Sequence, residues 1–129
     1  MIFETVSKRI KSTGIVAVLV IDREEDAVPL AKPLLSGGID AMELTLRTPA
    51  ALGALRRIPY EVPEMLAGAG TVLTPAHVEE VKNAGAEFVV SPGVNPRVLS
   101  AARDAGVPFA PGIVTPQTSS RRWNLTVKC

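Results

Sequence analysis

Five short apolar runs punctuate the chain: Ile15–Ile21, Ala41–Leu46, Met65–Ala69, Phe88–Val90 and Phe109–Ile113. Their starts recur at intervals of roughly two dozen residues, the length of one strand-plus-helix unit. Most are continuous apolar stretches rather than clean alternations, which is how parallel strands covered on both faces read. The segments between them carry helical patterns with start and stop signals. Strand and helix in strict alternation, joined by right-handed crossovers, leave two architectures open. One is a doubly wound open sheet, the other part of a closed barrel.

The helix signals differ in strength. Asp22 is placed to cap the first helix, and Glu24, Glu25 and Asp26 enrich its opening turn. That helix runs toward Leu35 and stops at Gly37-Gly38, with Pro33 inside the pattern predicting a kink or two pieces. In the second, Thr48 caps, Pro49 takes the first helical position and Ala50–Arg57 follow. The third is the clearest: Thr74 caps, Pro75 opens, Val78 and Val81 face inward, and Gly85 ends it. The fourth repeats the plan, with Asn95, Pro96, then Val98, Leu99 and Ala102 inward, and Gly106 at the end. By the same rhythm a fifth helix should follow Thr115-Pro116, but the text turns irregular from Gln117 to Cys129.

Composition narrows the function classes. The 129 residues suit one small domain. Charge nearly balances, with 14 Lys+Arg against 13 Asp+Glu and a net of +1, which gives no support to a protein that tracks phosphates along nucleic acid. Aromatics make up 4%, too few for base-stacking platforms. Cys129 is the only cysteine and His77 the only histidine, so neither a disulfide framework nor a Cys- or His-rich metal site is expected. The charged N-terminus, Met1 to Gly14, has no signal-peptide core, and the longest apolar run is far shorter than the ~20 residues that span a bilayer. The expectation is a soluble cytoplasmic chain with no nucleic-acid and no membrane partner.

The chemistry gathers at strand ends. In Ala41-Met42-Glu43-Leu44-Thr45-Leu46-Arg47, alternation sets Met42, Leu44 and Leu46 on one face and Glu43, Thr45 and Arg47 on the other. The apolar set would meet helices; the polar set would point into a barrel or toward the strand's C-terminal end. A carboxylate inside a buried strand is expensive unless it is paired or used. The structural alternative is a Glu43–Arg47 salt bridge, although four residues of strand span about 13 Å. Gly68-Ala69-Gly70-Thr71-Val72-Leu73 lets a ligand approach backbone closely, with the Thr71 hydroxyl beside it. It is no dinucleotide fingerprint, because Leu73 stands where the third glycine belongs. Val90-Ser91-Pro92-Gly93 and Pro111-Gly112 close the later strands at the same end, where barrels and wound sheets keep their sites. His77 reads as a surface residue at a helix start, Glu79, Glu80 and Lys82 as a solvated face, and Asn124-Leu125-Thr126 as a chance glycosylation sequon.

Glu43-Leu44-Thr45-Leu46-Arg47-Thr48, Gly68 to Leu73, Ser91-Pro92-Gly93 and Pro111-Gly112, in that order, resemble the signatures of the 2-keto-3-deoxy-6-phosphogluconate (KDPG) / 4-hydroxy-2-oxoglutarate (KHG) aldolases. The resemblance runs from the start of the chain to about Pro116. It implies an α/β fold of the (β/α)8 TIM-barrel type, of which this chain holds about the first five βα units. It implies a homotrimer when full length, and a lyase of Entner–Doudoroff carbohydrate metabolism that needs no cofactor or metal. Such an enzyme cleaves 2-keto-4-hydroxy acids, phosphorylated sugar acids among them, to pyruvate plus an aldehyde. On the matching positions, Glu43 would be the general acid/base, Arg47 would hold the pyruvate carboxylate, Thr71 would add a hydrogen bond to the pyruvyl unit, and Pro92 would shape the pocket wall.

The chain departs from that family where the Schiff-base lysine belongs. The family carries it on strand six, in a Lys-Phe-Phe-Pro-like segment absent here, and the only lysine after Lys82 is Lys128. The expected division is therefore a partial aldolase barrel over 1–116 and an aberrant tail over 117–129. Back-translated from Gln117 and read two bases on, the tail permits Asp-Ile-Glu-Gln-Ala-Leu-Glu-Leu-Asp-Cys-Lys-Val, which has helical period. The expectation is a frameshift near the Pro116 codon, and a chain with little or no aldolase activity. The alternative reading is a truncated, non-catalytic fragment that retains carboxylate binding or associates with a partner through its open edges.

Overall fold

The structure, a computed structural model, describes residues 2–112. Ile113, the Thr115-Pro116 step, the 117–129 tail with Lys128 and Cys129, and the Asn124 sequon lie outside the described residues. Each apolar run marks a strand, with β3 and β4 each ending one residue past its run: β1 Ala17–Leu19, β2 Ala41–Thr45, β3 Leu66–Gly70, β4 Phe88–Ser91 and β5 Phe109–Pro111. All neighbours pair in parallel, and the spatial order is β1-β2-β3-β4-β5. A sequential order has no reversal point, so the wound-sheet alternative falls and barrel-type winding remains.

The helices are α1 Ile2–Thr13, α2 Ala27–Ser36, α3 Ala51–Glu61, α4 Pro75–Asn83 and α5 Pro96–Ala105, with a 3-10 turn at Glu24–Asp26. The strand register sorts the side chains. One row across the sheet is Leu19, Leu44, Ala69, Val89 and Phe109. It packs with Met42 and Ala67 against the inward residues of α2–α5, among them Ala31, Leu55, Val81 and Val98. Burying side chains of this size supplies about 1.5–3 kcal/mol each and drives the assembly. The next row is Val18, Glu43, Gly68 and Phe88, and it lines the other, concave face. A separate cluster of Val6, Ala41, Leu66 and Phe88 covers the N-terminal end of that face with α1.

The sequence reading gave α1 no helix, although Phe3, Val6 and Ile10 stand at helical spacing. Its place is fixed by Arg9, which donates to the carbonyls of Glu64 (2.5 Å) and Asp40 (3.4 Å) and pairs with the Asp40 carboxylate at 3.6 Å. The third and fourth predicted helices stand as read. Thr74 Oγ1 accepts from the His77 amide and Asn95 Oδ1 from the Arg97 amide, and Gly85 and Gly106 take positive φ beyond the helix ends.

Three expectations need correction. Asp22 caps nothing. The acidic cluster folds instead as the 3-10 turn, because Arg23 grips Asp26 through Nε (3.0 Å) and Nη2 (2.6 Å). The division of the first helix falls there, ahead of α2, which runs unbroken through Pro33 to Ser36. Thr48 is no cap either. Its hydroxyl donates to the Ile21 carbonyl and ties β2's exit to β1's, while α3 starts at Ala51 and runs past Arg57 to Glu61, through Pro59.

β1 and β5 are the sheet's edges, and the apolar concave face opens beside them: Val18 is 62% exposed and Val20 52%. No helix of the described residues is long and apolar enough to cross a membrane.

Candidate active site

The C-terminal ends of β2, β3 and β4 form one rim. Every residue of β2 is buried, and Glu43 is 8% exposed in its middle. Among the described residues Glu43 makes no hydrogen bond and no ion pair, so the alternative, a Glu43–Arg47 salt bridge, is not formed. Burial pushes the Glu43 carboxyl above its ordinary pKa, and the nearby Arg47 charge pulls against this without winning. A carboxyl whose hold on its proton is strengthened by burial in this way is suited to giving and taking a proton.

Arg47 stands just beyond β2, exposed, in a tight turn closed by its amide donating to Thr45 O at 2.8 Å. Its guanidinium is thus free among the described residues, and close enough to Glu43 to be felt there. Thr45 turns its hydroxyl to the Leu19 carbonyl at 3.3 Å and so serves the sheet rather than a ligand.

Thr71 follows the last residue of β3. It is the one non-glycine with positive φ (61°) among the described residues. A β-branched residue held there carries strain of about 1–3 kcal/mol, which the surroundings must impose. The ties on either side are visible: Leu46 N donates to Gly70 O at 2.9 Å, and Val72 N to Val90 O at 3.3 Å. The strained turn leaves Thr71 half-buried at the rim, next to the glycine over which Glu43 lies.

Pro92 sits one strand further, exposed, in the loop after β4. It lines a shallow hollow of about 270 Å³ with Val72, Leu73, Ser91 and Val94, and none of Glu43, Arg47 or Thr71 lines that hollow. The four sequence-selected residues thus share the rim, but Pro92 faces a separate part of it. His77, read as a surface residue, is half-buried and accepts the Leu73 amide on Nδ1 at 3.3 Å, bracing the loop after Thr71. Glu79, Glu80 and Lys82 are exposed, as expected of a solvated face.

The raised Glu43 pKa has a consequence for stability. Folding disfavours the ionised carboxyl, so the stability linked to Glu43 is full below the ordinary carboxyl range and is lost as pH rises through the folded value. Glu43→Gln removes that loss. At neutral pH it should raise the urea midpoint, and the gain should close as the pH falls below the ordinary range. Equal midpoints at neutral pH would show that the carboxyl carries no burial penalty.

Comparisons with known proteins bear on the family and the fold. The sequence model of the KDPG and KHG aldolases matches residues 6–126. The KHG/KDPG aldolase of Escherichia coli K12 is 46% identical over 114 residues, covering 88% of this chain and 54% of that protein. The 2-dehydro-3-deoxy-phosphogluconate aldolase of Dickeya dadantii matches at the same identity and coverage. Among solved structures, the KDPG aldolase of Legionella pneumophila, holding pyruvate as a covalent carbinolamine, superposes with TM-score 0.82 at 40% identity, over 85% of this chain and 53% of that one. The Zymomonas mobilis ZM4 enzyme with 3-phosphoglycerate gives TM-score 0.80 at 38% identity, over 85% and 52%. The chain spans about half the length of the relatives it matches, and its five-stranded sheet is part of their TIM-barrel-type fold. With fold, motifs and sequence in agreement, the chain belongs to the KDPG and KHG aldolase family.

Proposed function

We propose that this chain carries the pyruvate-handling half of a class I aldolase site, and that, with no lysine at the rim among the described residues, it does not complete the reaction alone. The single observation that carries this reading is the buried, unpaired Glu43 carboxyl at the C-terminal rim, beside Arg47 and the strained Thr71. Retro-aldol cleavage leaves a carbanion next to a carbonyl. A protonated Schiff base with a lysine delocalises it, and a carboxyl of tuned pKa moves the proton. Glu43 is assigned that proton. Arg47 takes the pyruvate carboxylate in its planar, two-pronged guanidinium. Thr71 adds a hydrogen bond to the same unit, and Pro92 borders the pocket beyond it.

The substrate class is a 2-keto-4-hydroxy acid, either KDPG or 4-hydroxy-2-oxoglutarate, and the whole enzyme is a cytoplasmic homotrimer. The aldolase portion is assigned to residues 1–116 and the 117–129 tail to another reading frame, on the loss of helical period from Gln117, although the family model runs on to residue 126. Two relatives bear on the ligand: the Legionella enzyme holds pyruvate and the Zymomonas enzyme a phosphorylated acid.

A second reading, association through the open edges, draws on the exposed Val18 and Val20. It also draws on a groove of about 290 Å³ between β1 and α2, lined by Leu19, Leu30, Leu34 and Ile39. Calorimetry with pyruvate separates the two. The rim reading expects weak binding heat that disappears in Arg47→Ala, a loss of the kind seen when a charge-assisted pair is removed, about 1.5–3 kcal/mol. Heat that survives Arg47→Ala would move the binding elsewhere.

A further inference from the structure

The two glycines of β3 lie on the concave face, in line with Glu43 and Thr45 of β2, and the spaces their missing side chains leave are both filled. At Gly68 the ring of Phe88 occupies the place of a Cβ. At Gly70 a Cβ would overlap Oε1 of Glu43. Glu43 pairs along the sheet with Gly68, two residues before Gly70, so its side chain leans toward the C-terminal rim and crosses Gly70 on the way. Nothing else among the described residues holds the carboxyl by a hydrogen bond or ion pair.

Resting on the functional reading above, we infer that Gly70 is a positioning residue. Its bare Cα forms the floor on which the Glu43 carboxyl lies, and so directs the acid/base group to the rim next to Thr71. Gly70 does not take positive φ, so an alanine there is compatible with the backbone. The atom that must yield is the free end of a flexible side chain rather than backbone. The neighbouring Val18 is open to water, so the carboxyl displaced by Gly70→Ala has room to swing off the sheet into solvent. The fold should survive a change that the carboxyl does not. The groups around Glu43 leave few competing causes: β1 offers Val18, β3 the two glycines, β4 Phe88, and Arg47 is the one charge felt there.

The test is carried out on the 129-residue chain without ligand. The glutamate side chains are labelled with 13C, the Glu43 resonance is assigned by its loss in Glu43→Gln, and its carboxyl is titrated in the parent and in Gly70→Ala. The expected result is a midpoint that falls in Gly70→Ala, back toward the ordinary carboxylate value, as burial is relieved. Urea unfolding of Gly70→Ala in the parent and in a Glu43→Ala background supplies the second readout. Where the Glu43 side chain is gone, the alanine should be neutral or stabilising. Any loss of midpoint, including failure to fold, should appear only where Glu43 is present. An unchanged titration, or an equal loss of stability in both backgrounds, would overturn the inference and leave Gly70 a packing position. Neither readout uses pyruvate or turnover, so a failed pyruvate-binding experiment would sink the functional reading and leave this result standing.

Discussion

Incubated with pyruvate and borohydride, the 129-residue chain should gain no reduced pyruvyl adduct, and KDPG in its presence should be cleaved at the rate seen in buffer. The reason lies in the placement of the lysines. Among the described residues, Lys8 and Lys11 lie on α1, Lys32 on α2 and Lys82 on α4, all four exposed, and none is on a strand at the rim that carries Glu43. An amine on a helix surface can collide with pyruvate, but it does not hold the keto acid where the Glu43 carboxyl could exchange a proton with its C3. Between a working enzyme and the uncatalysed reaction lies a rate factor of about 10⁶ or more, so this is a large predicted deficit. Mass spectrometry of the reduced protein reads it directly. Turnover accompanied by an adduct on Lys128 would show that the chain builds its own Schiff base and would refute the deficit.

Much of this site was legible in the sequence, for identifiable physical reasons. Strand alternation in Ala41 to Arg47 separated Met42 and Leu44 from Glu43 and Thr45, and the register keeps them apart in the same way. The Thr-Pro and Asn-Pro starts of α4 and α5 were readable because a side-chain cap and a proline at the first position act locally. What escaped depended on distant partners. Thr48 has the same local look as Thr74, yet its hydroxyl is claimed by Ile21, which no local pattern announces. Asp22 lost its role because Arg23 and Asp26 made a tighter local pair. The seating of Glu43 across Gly70 depends on two strands side by side. The double glycine of β3 hinted at a close approach, but not at which side chain makes it. The separation of Pro92 from the other rim residues was likewise invisible until the loop after β4 was placed.

The second large effect concerns Glu43 itself, and it needs a complete site. Residues 1–112 of this chain, joined to the part of the Escherichia coli relative that follows the position aligned with Gly112, would set the rim described here within a chain of that relative's length. Such a chimera should trap pyruvate with borohydride and cleave KDPG. Positioned proton transfer contributes about 10²–10⁴-fold to a rate, so Glu43→Gln in the chimera should lower kcat by about that factor while leaving the fold in place. Glutamine keeps the shape above Gly70 but can neither take nor return a proton.

The chimera's turnover with and without Glu43→Gln is therefore the most direct measurement of whether this rim is the proton-transferring half of an aldolase site. The account predicts a folded, pyruvate-trapping chimera whose turnover drops about 10²–10⁴-fold on that one substitution. A chimera that folds, traps pyruvate and turns over equally fast with Glu43→Gln would contradict it.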